Sequence, residues 1–245
     1  MTSSLPVNLV YAKLSELDLG RAREELLPSL PAADQCRYAS LRRPERREQF
    51  LAGRLLAREG RSQGLLGLDP REPDFPGLNI SHSGPWVACA FTPRGQVGCD
   101  VERVIPRAID TLAEVACSLS ERARLADRQA GDPMALFYRY WTVKEALAKA
   151  CRQGLALDLR TLEVSLDSGA LFYPSSIVPG SHLAAISVLL EPFLAGAMCL
   201  FHDDSCGVDW RWWRREASPA WREVRPILAN PLSGRPGAPD LTAQA

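Results

Sequence analysis

One stretch constrains this chain more than any other: MALFYRYWTVKEALAKACRQ, residues 134–153, opened by Asp132-Pro133 and closed by Gly154. Aspartate can cap free amides, proline suits the first helical position and glycine the left-handed stop, so the spacing predicts a helix over Met134–Gln153. Beyond it, LEVSL, AAISVLL and AGAMCLF alternate with turn residues and read as strands of an antiparallel sheet. Glu191-Pro192 interrupts the apolar run from Leu183 to Phe201, which therefore suits two strands and a turn better than a membrane-spanning helix.

Similar elements precede this half. Asp34 to Gly60 reads as an arginine-rich helix, with Phe50, Leu51, Leu55 and Leu56 at three- and four-residue spacing, Pro44 near its start and Gly60 at its stop. A loop rich in Pro and Gly (GLDPREPDFPGL) leads to LNISHSG, whose SHSG reads as a polar turn, and to WVACAF, a buried strand. Gln96 to Val104 is a second short strand. Recurring strands and helices predict an α/β or α+β fold with a boundary near Thr92-Pro93-Arg94-Gly95. Residues 1–94 are expected to form one lobe and 95–209 a second. Residues 210–245, basic and aromatic and then rich in Pro, Gly and Ala, are expected to be a tail with a disordered end.

With 29 Lys+Arg against 29 Asp+Glu, no overall field recruits nucleic acid or an anionic membrane, and an anion site must come from a local cluster. The 7 cysteines include no Cys-x-x-Cys pair, which argues against a disulfide framework and a zinc ribbon. The start, MTSSLPVNLVYAKL, lacks the basic and apolar regions of a signal peptide, so a cytoplasmic protein is expected.

Asp100 and Glu102, two apart on a strand, project from one face and can converge on a hard cation. Trp141, Glu145 and Lys149 fall at i, i+4 and i+8 of the long helix and form one stripe. Together with His82 they suit a pyrophosphate held by Mg²⁺, which favours a few carboxylates plus water and phosphate oxygens. Taken singly, each has a plainer origin: solvated strand acids, a helix ion pair, a core tryptophan, a hydrogen-bonded histidine.

The set, however, occurs in a specific order. Val97-Gly98-Cys99-Asp100-Val101-Glu102 and Trp141-Thr142-Val143-Lys144-Glu145-Ala146-Leu147-Ala148-Lys149, preceded by LNISHSGPWVACAF, resemble the signatures of the two-lobed phosphopantetheinyl transferases typified by the surfactin synthetase activator. The resemblance implies a pseudo-dimer of two similar small α/β lobes with the active site in the cleft. It implies an enzyme that moves 4'-phosphopantetheine from coenzyme A to a serine of an apo acyl- or peptidyl-carrier protein and releases 3',5'-ADP. It makes Asp100, Glu102 and Glu145 ligands of Mg²⁺, Glu145 and Lys149 catalytic, and Arg43, Arg54, His82 and Lys149 contacts of coenzyme A. Arg42 matches nearly as well as Arg43. The carrier is expected near Ile105 to Cys117, and the protein is expected to be a monomer. Arg71-Glu72-Pro73 stands where the family often has Gly-Lys-Pro, so Arg71 would have to supply any basic contact there.

Two other classes compete. The same carboxylates could serve a Mg²⁺-dependent nuclease or phosphohydrolase acting through water, and WRWWRR with Arg42, Arg43, Arg46 and Arg47 could form a nucleic-acid or membrane patch. No G-x-S-x-G elbow or G-x-x-x-x-G-K-[ST] loop is present. Cys199, His202 and Cys206 have no standard zinc spacing and read as a strand end with a polar loop, and His182 has no partner suggested by sequence.

Overall fold

The computed structural model describes residues 4–64, 77–127, 129–177, 182–202, 206–217 and 221–237. Its strands form two sheets. The first has the order β10 (Trp221–Val224), β9 (Val208–Arg215), β1 (Leu5–Lys13), β3 (Trp86–Phe91), β2 (Leu78–Ser83). The second has the order β4 (Gln96–Arg103), β8 (Leu194–His202), β7 (His182–Glu191), β11 (Leu228–Pro236), β6 (Ala170–Tyr173), β5 (Glu163–Ser165). β1 pairs with β9, and β6 with β11, in parallel; the remaining pairs are antiparallel.

Alternation along the strands sets the layers. Leu5, Leu9 and Tyr11 of β1 share a core with Val97, Cys99 and Val101 of β4 and Ile186, Val188 and Leu190 of β7, so the sheets pack face to face. Val10 and Ala12 point the other way, onto Leu51, Leu55 and Leu56 of α3 (Pro44–Ser62). On the far side of the second sheet, Val143, Ala146, Leu147 and Ala150 of α6 (Pro133–Ala150) pack with Ala195, Ala197 and Cys199. The layers are helix, sheet, sheet, helix, a mixed α/β fold of two lobes, as the sequence predicts. Shorter helices, α1 (Leu19–Arg21), α2 (Ala32–Ser40), α4 (Ile109–Ala116) and α5 (Leu119–Ala126), flank them.

Gly98 lets α6 lie directly on β4. A Cβ there would come within 2.0 Å of the Ala146 carbonyl oxygen and 2.5 Å of the Ala150 nitrogen, so any larger residue displaces the helix that carries Glu145 and Lys149.

Three expectations are corrected. The single helix over Asp34–Gly60 is two, because the residue before Pro44 is driven out of the helical region: Arg43 has φ −85° and ψ 129°. The SHSG turn begins only at Gly84, since Ser81, His82 and Ser83 belong to β2 and pair with Ala88, Val87 and Trp86. Beyond residue 209 the described residues carry strands as far as Pro236: β9 and β10 join the first sheet and β11 lies between β7 and β6 in the second, so the topology crosses the division at residues 94 and 209. Residues 238–245 lie outside the described residues. No helix among the described residues is long and apolar enough to cross a membrane.

Candidate active site

β2 and β4 are each the edge of a sheet, and an edge strand leaves half of its backbone groups without a strand partner. Side chains of β2 serve those of β4. Cys99 N donates to Asn79 Oδ1 at 3.0 Å, Val101 N to Ser81 Oγ at 3.3 Å and Arg103 N to Ser83 Oγ at 3.1 Å. The pattern N-I-S-H-S is thus strand periodicity: residues 79, 81 and 83 face β4, while Ile80 and His82 face α3, where Ile80 packs on Gly53.

The same serines hold acids. Ser81 Oγ donates to Asp100 Oδ1 at 2.7 Å, and Ser83 Oγ donates to Glu102 Oε2. Lys149 reaches across from α6 to Asp100 Oδ1 at 2.7 Å, Ser81 Oγ at 3.1 Å and the Cys99 carbonyl at 3.2 Å. An ammonium has three hydrogens, and these contacts engage all of them. Burial works against the charge of Lys149, but Asp100 and its other neighbours outweigh it and its pKa is raised. One turn before it, Glu145 is half-buried, and burial followed by the charge of Asp100 raises its carboxyl above the ordinary range despite Lys149. Burial likewise raises Glu102, with the Ser83 hydrogen bond opposing. The structure therefore puts Asp100 and Lys149 in contact, with Glu102 and Glu145 near enough to feel the charge of both.

This corner fits a hard cation. Asp100 Oδ2 is buried and has no hydrogen-bond partner, a costly state for a carboxylate oxygen and one that a cation relieves. Among the described residues no group of three or more potential ligands forms a ready metal cage. Mg²⁺ would draw its remaining oxygens from water and substrate phosphate.

On the opposite face of β2, Arg46 Nη1 lies 3.1 Å from His82 Nδ1 and 3.2 Å from Gln49 Oε1, and Gln49 in turn donates to the Gly84 carbonyl at 2.9 Å. Burial, then Arg46, lowers the His82 pKa and favours the neutral imidazole that can accept from a guanidinium. Arg43 is exposed at the start of α3. Arg54 is placed elsewhere: its Nε and Nη2 hold both oxygens of Asp34 at 2.7 Å and its guanidinium lies 4.7 Å from the Phe50 ring, which ties α3 to α2. Arg71 lies outside the described residues. Trp141 packs at the edge of the second-lobe core, 6.0 Å from the Phe137 ring.

Sequence reasoning passed over Ser81 and Ser83, and placed Arg46 only in a basic patch. The signal for the serines was present as polar residues at every second position beside the histidine. WRWWRR is no exposed basic patch either: Arg214 and Arg215 are buried and paired with Glu16 and Glu59. His182 and His202 face one another across β7 and β8 with ring centroids 5.9 Å apart.

Comparison with known proteins agrees with this geometry. A family model described as the 4'-phosphopantetheinyl transferase superfamily matches residues 96–191, which include Asp100, Glu102, Glu145 and Lys149. The chain is similar to the 4'-phosphopantetheinyl transferase AcpT of Salmonella typhimurium, 31% identical over 170 residues, 65% of this chain and 81% of the relative. It is 37% identical over 131 residues to AcpT of Escherichia coli K12, covering 50% of this chain and 65% of that one. With the transferase Sfp of Bacillus subtilis it shares 32% identity over 139 residues, 55% of this chain and 60% of Sfp. The chain belongs to the 4'-phosphopantetheinyl transferase superfamily.

Proposed function

We propose that this chain transfers the 4'-phosphopantetheine arm of coenzyme A to a serine of an apo carrier protein and releases 3',5'-ADP, with Mg²⁺ held by Asp100, Glu102 and Glu145. The observation that carries the reading is the Asp100–Lys149 contact at the seam of two edge strands, with Asp100 Oδ2 buried without a partner and Glu102 and Glu145 near enough for Asp100 to act on their charge. When bound, the cation supplies positive charge to the pyrophosphate oxygens and the leaving phosphate.

The chain's own groups have separate tasks. Arg46 and His82, with Arg43 at the open end of α3, offer donors to the phosphates of the nucleotide. Lys149 can take a phosphate oxygen only by giving up one of its present contacts, and those to Ser81 and Cys99, at 3.1 and 3.2 Å, are the longer ones. Glu145 is the base: as the carrier serine oxygen bonds to the phosphorus nearest the pantetheine and the bond to 3',5'-ADP breaks, the hydroxyl proton passes to its carboxylate. The carrier docks at Ile105 to Cys117 and the adjoining start of α5, where Val115 and Leu119 are 63% and 81% exposed apolar side chains.

The test incubates the protein with coenzyme A, Mg²⁺ and a panel of apo carrier proteins and reads the phosphopantetheine addition by intact mass. Glu145→Gln should slow single-turnover transfer by a factor on the order of 10²–10⁴ and leave coenzyme A binding largely intact. Transfer at the wild-type rate with Mg²⁺ saturating would remove Glu145 as the base. Coenzyme A consumed without any carrier would favour the phosphohydrolase alternative.

A further inference from the structure

β2 gives one face to the nucleotide side and the other to the carboxylates, and its residues do not share the second task equally. Asp100 is held twice, by Ser81 and by Lys149. Among the described residues Ser83 gives Glu102 its one side-chain hydrogen bond, and Arg107 and Lys149 act on it only through their charge. The Ser83 hydroxyl accepts from Arg103 N at 3.1 Å, and its single hydrogen goes to Glu102 Oε2. Glu102 has three side-chain torsions and sits, half-buried, near the end of β4; without that bond a cation would have to order it on binding. We infer that Ser83 is a positioning residue for Glu102: a hydroxyl of the first lobe sets the orientation of a cation-binding carboxylate of the second.

The inference rests on the proposed cation site, and the experiment separates the two. Mn²⁺ serves as the probe, titrated calorimetrically into the full chain with coenzyme A present. Ser83→Ala should weaken Mn²⁺ binding about tenfold, the scale of losing a hydrogen bond to a metal ligand, and leave metal-free coenzyme A binding unchanged. Ser83→Thr, which keeps the hydroxyl, should restore Mn²⁺ binding. In a Glu102→Ala background Ser83→Ala should add no further loss, because without the carboxylate the hydroxyl has nothing to orient. A residue that merely zips β2 to β4 would weaken binding equally in both backgrounds, and that result, or wild-type Mn²⁺ affinity in a folded Ser83→Ala, overturns the inference. Should Ser83→Ala fail to fold, Ser83→Cys, with a poorer donor of similar size, takes its place with the same expectations. A wild-type chain that binds no Mn²⁺ would remove the cation reading and this inference together.

Discussion

Each lobe lays one long helix on the outer face of its sheet, and each helix begins at a proline, Pro44 or Pro133. In the first lobe glycines of the helix make room for the sheet, Gly53 against Ile80 and Gly60 against Phe91; in the second a glycine of the sheet, Gly98, makes room for the helix. The charges are treated in opposite ways. α3 keeps its arginines at the surface, and the Arg54–Asp34 pair is 27% and 23% exposed. α6 takes Lys144 inside, where it pairs with Glu121 of α5 at 0% and 1% exposure and donates to the Ala116 carbonyl at 2.8 Å. The lobe with surface arginines is suited to meeting an anionic ligand, whereas the lobe with the internal ion pair fixes α4 and α5 to α6 and so fixes the backbone from which Glu145 and Lys149 project.

The strongest test of this two-lobed division is to end the chain after Asp209. The sequence reads 210–245 as a tail with a disordered end, but without it the first sheet would lose β10 and most of β9, and the second would lose the strand that joins β6 and β5 to β7. Arg214 and Arg215, which tie β9 to Glu16 and Glu59, would go with them. Loss of a sheet-interior strand should abolish cooperative unfolding altogether. A shortened chain with a wild-type thermal midpoint would show that the lobes are complete without β9 to β11.

What could be read in the sequence was local. The start of α6 was legible because Asp132 and Pro133 act on their immediate neighbours, and Asp132 Oδ1 accepts from Met134 N at 3.0 Å, whereas its end was not, since the helix stops at Ala150 rather than Gln153 and Arg152, not Gly154, first takes the left-handed conformation at φ 57°. Pro44 carried an equally local signal, the break at Arg43, that an uninterrupted reading of Asp34–Gly60 overlooked. The carboxylates of the site were legible through their motif. The fate of WRWWRR was not, because Arg214 and Arg215 find acids 198 and 156 residues away along the chain, and composition cannot report a partner at that distance. The role of Ser83 depends in the same way on β2 lying along β4, a meeting of two sheet edges that no single segment encodes.

A smaller effect is expected inside the second lobe. Glu121 accepts from Lys144, from Val164 N at 2.7 Å and from Ser118 N at 2.8 Å, so it serves a capping box and an ion pair at once. Glu121→Ala should cost about 3–5 kcal/mol, since Lys144 would be left buried without its acid. Urea unfolding would measure it. A loss under about 1 kcal/mol would place this pair in the surface class and erase the contrast with α3.

The finest test lies within α3 and concerns which arginines serve coenzyme A. The family resemblance assigns Arg54 to the coenzyme, but both Asp34 oxygens already hold its Nε and Nη2, and Phe50 covers the guanidinium. A partly exposed ion pair contributes about 0–1 kcal/mol, so Arg54→Ala should lower stability only slightly and leave coenzyme A affinity as it is. Arg46 is differently placed, against the imidazole of His82 on the face of β2 away from the carboxylates. A charge-assisted hydrogen bond to phosphate is worth about 1.5–3 kcal/mol, so Arg46→Ala should weaken coenzyme A binding by about tenfold or more. Calorimetric titration of both variants distinguishes the two faces. If Arg54→Ala weakened coenzyme A as much as Arg46→Ala did, Arg54 would have to leave Asp34 when the ligand binds, and an Asp34→Ala variant would then tighten coenzyme A by freeing it.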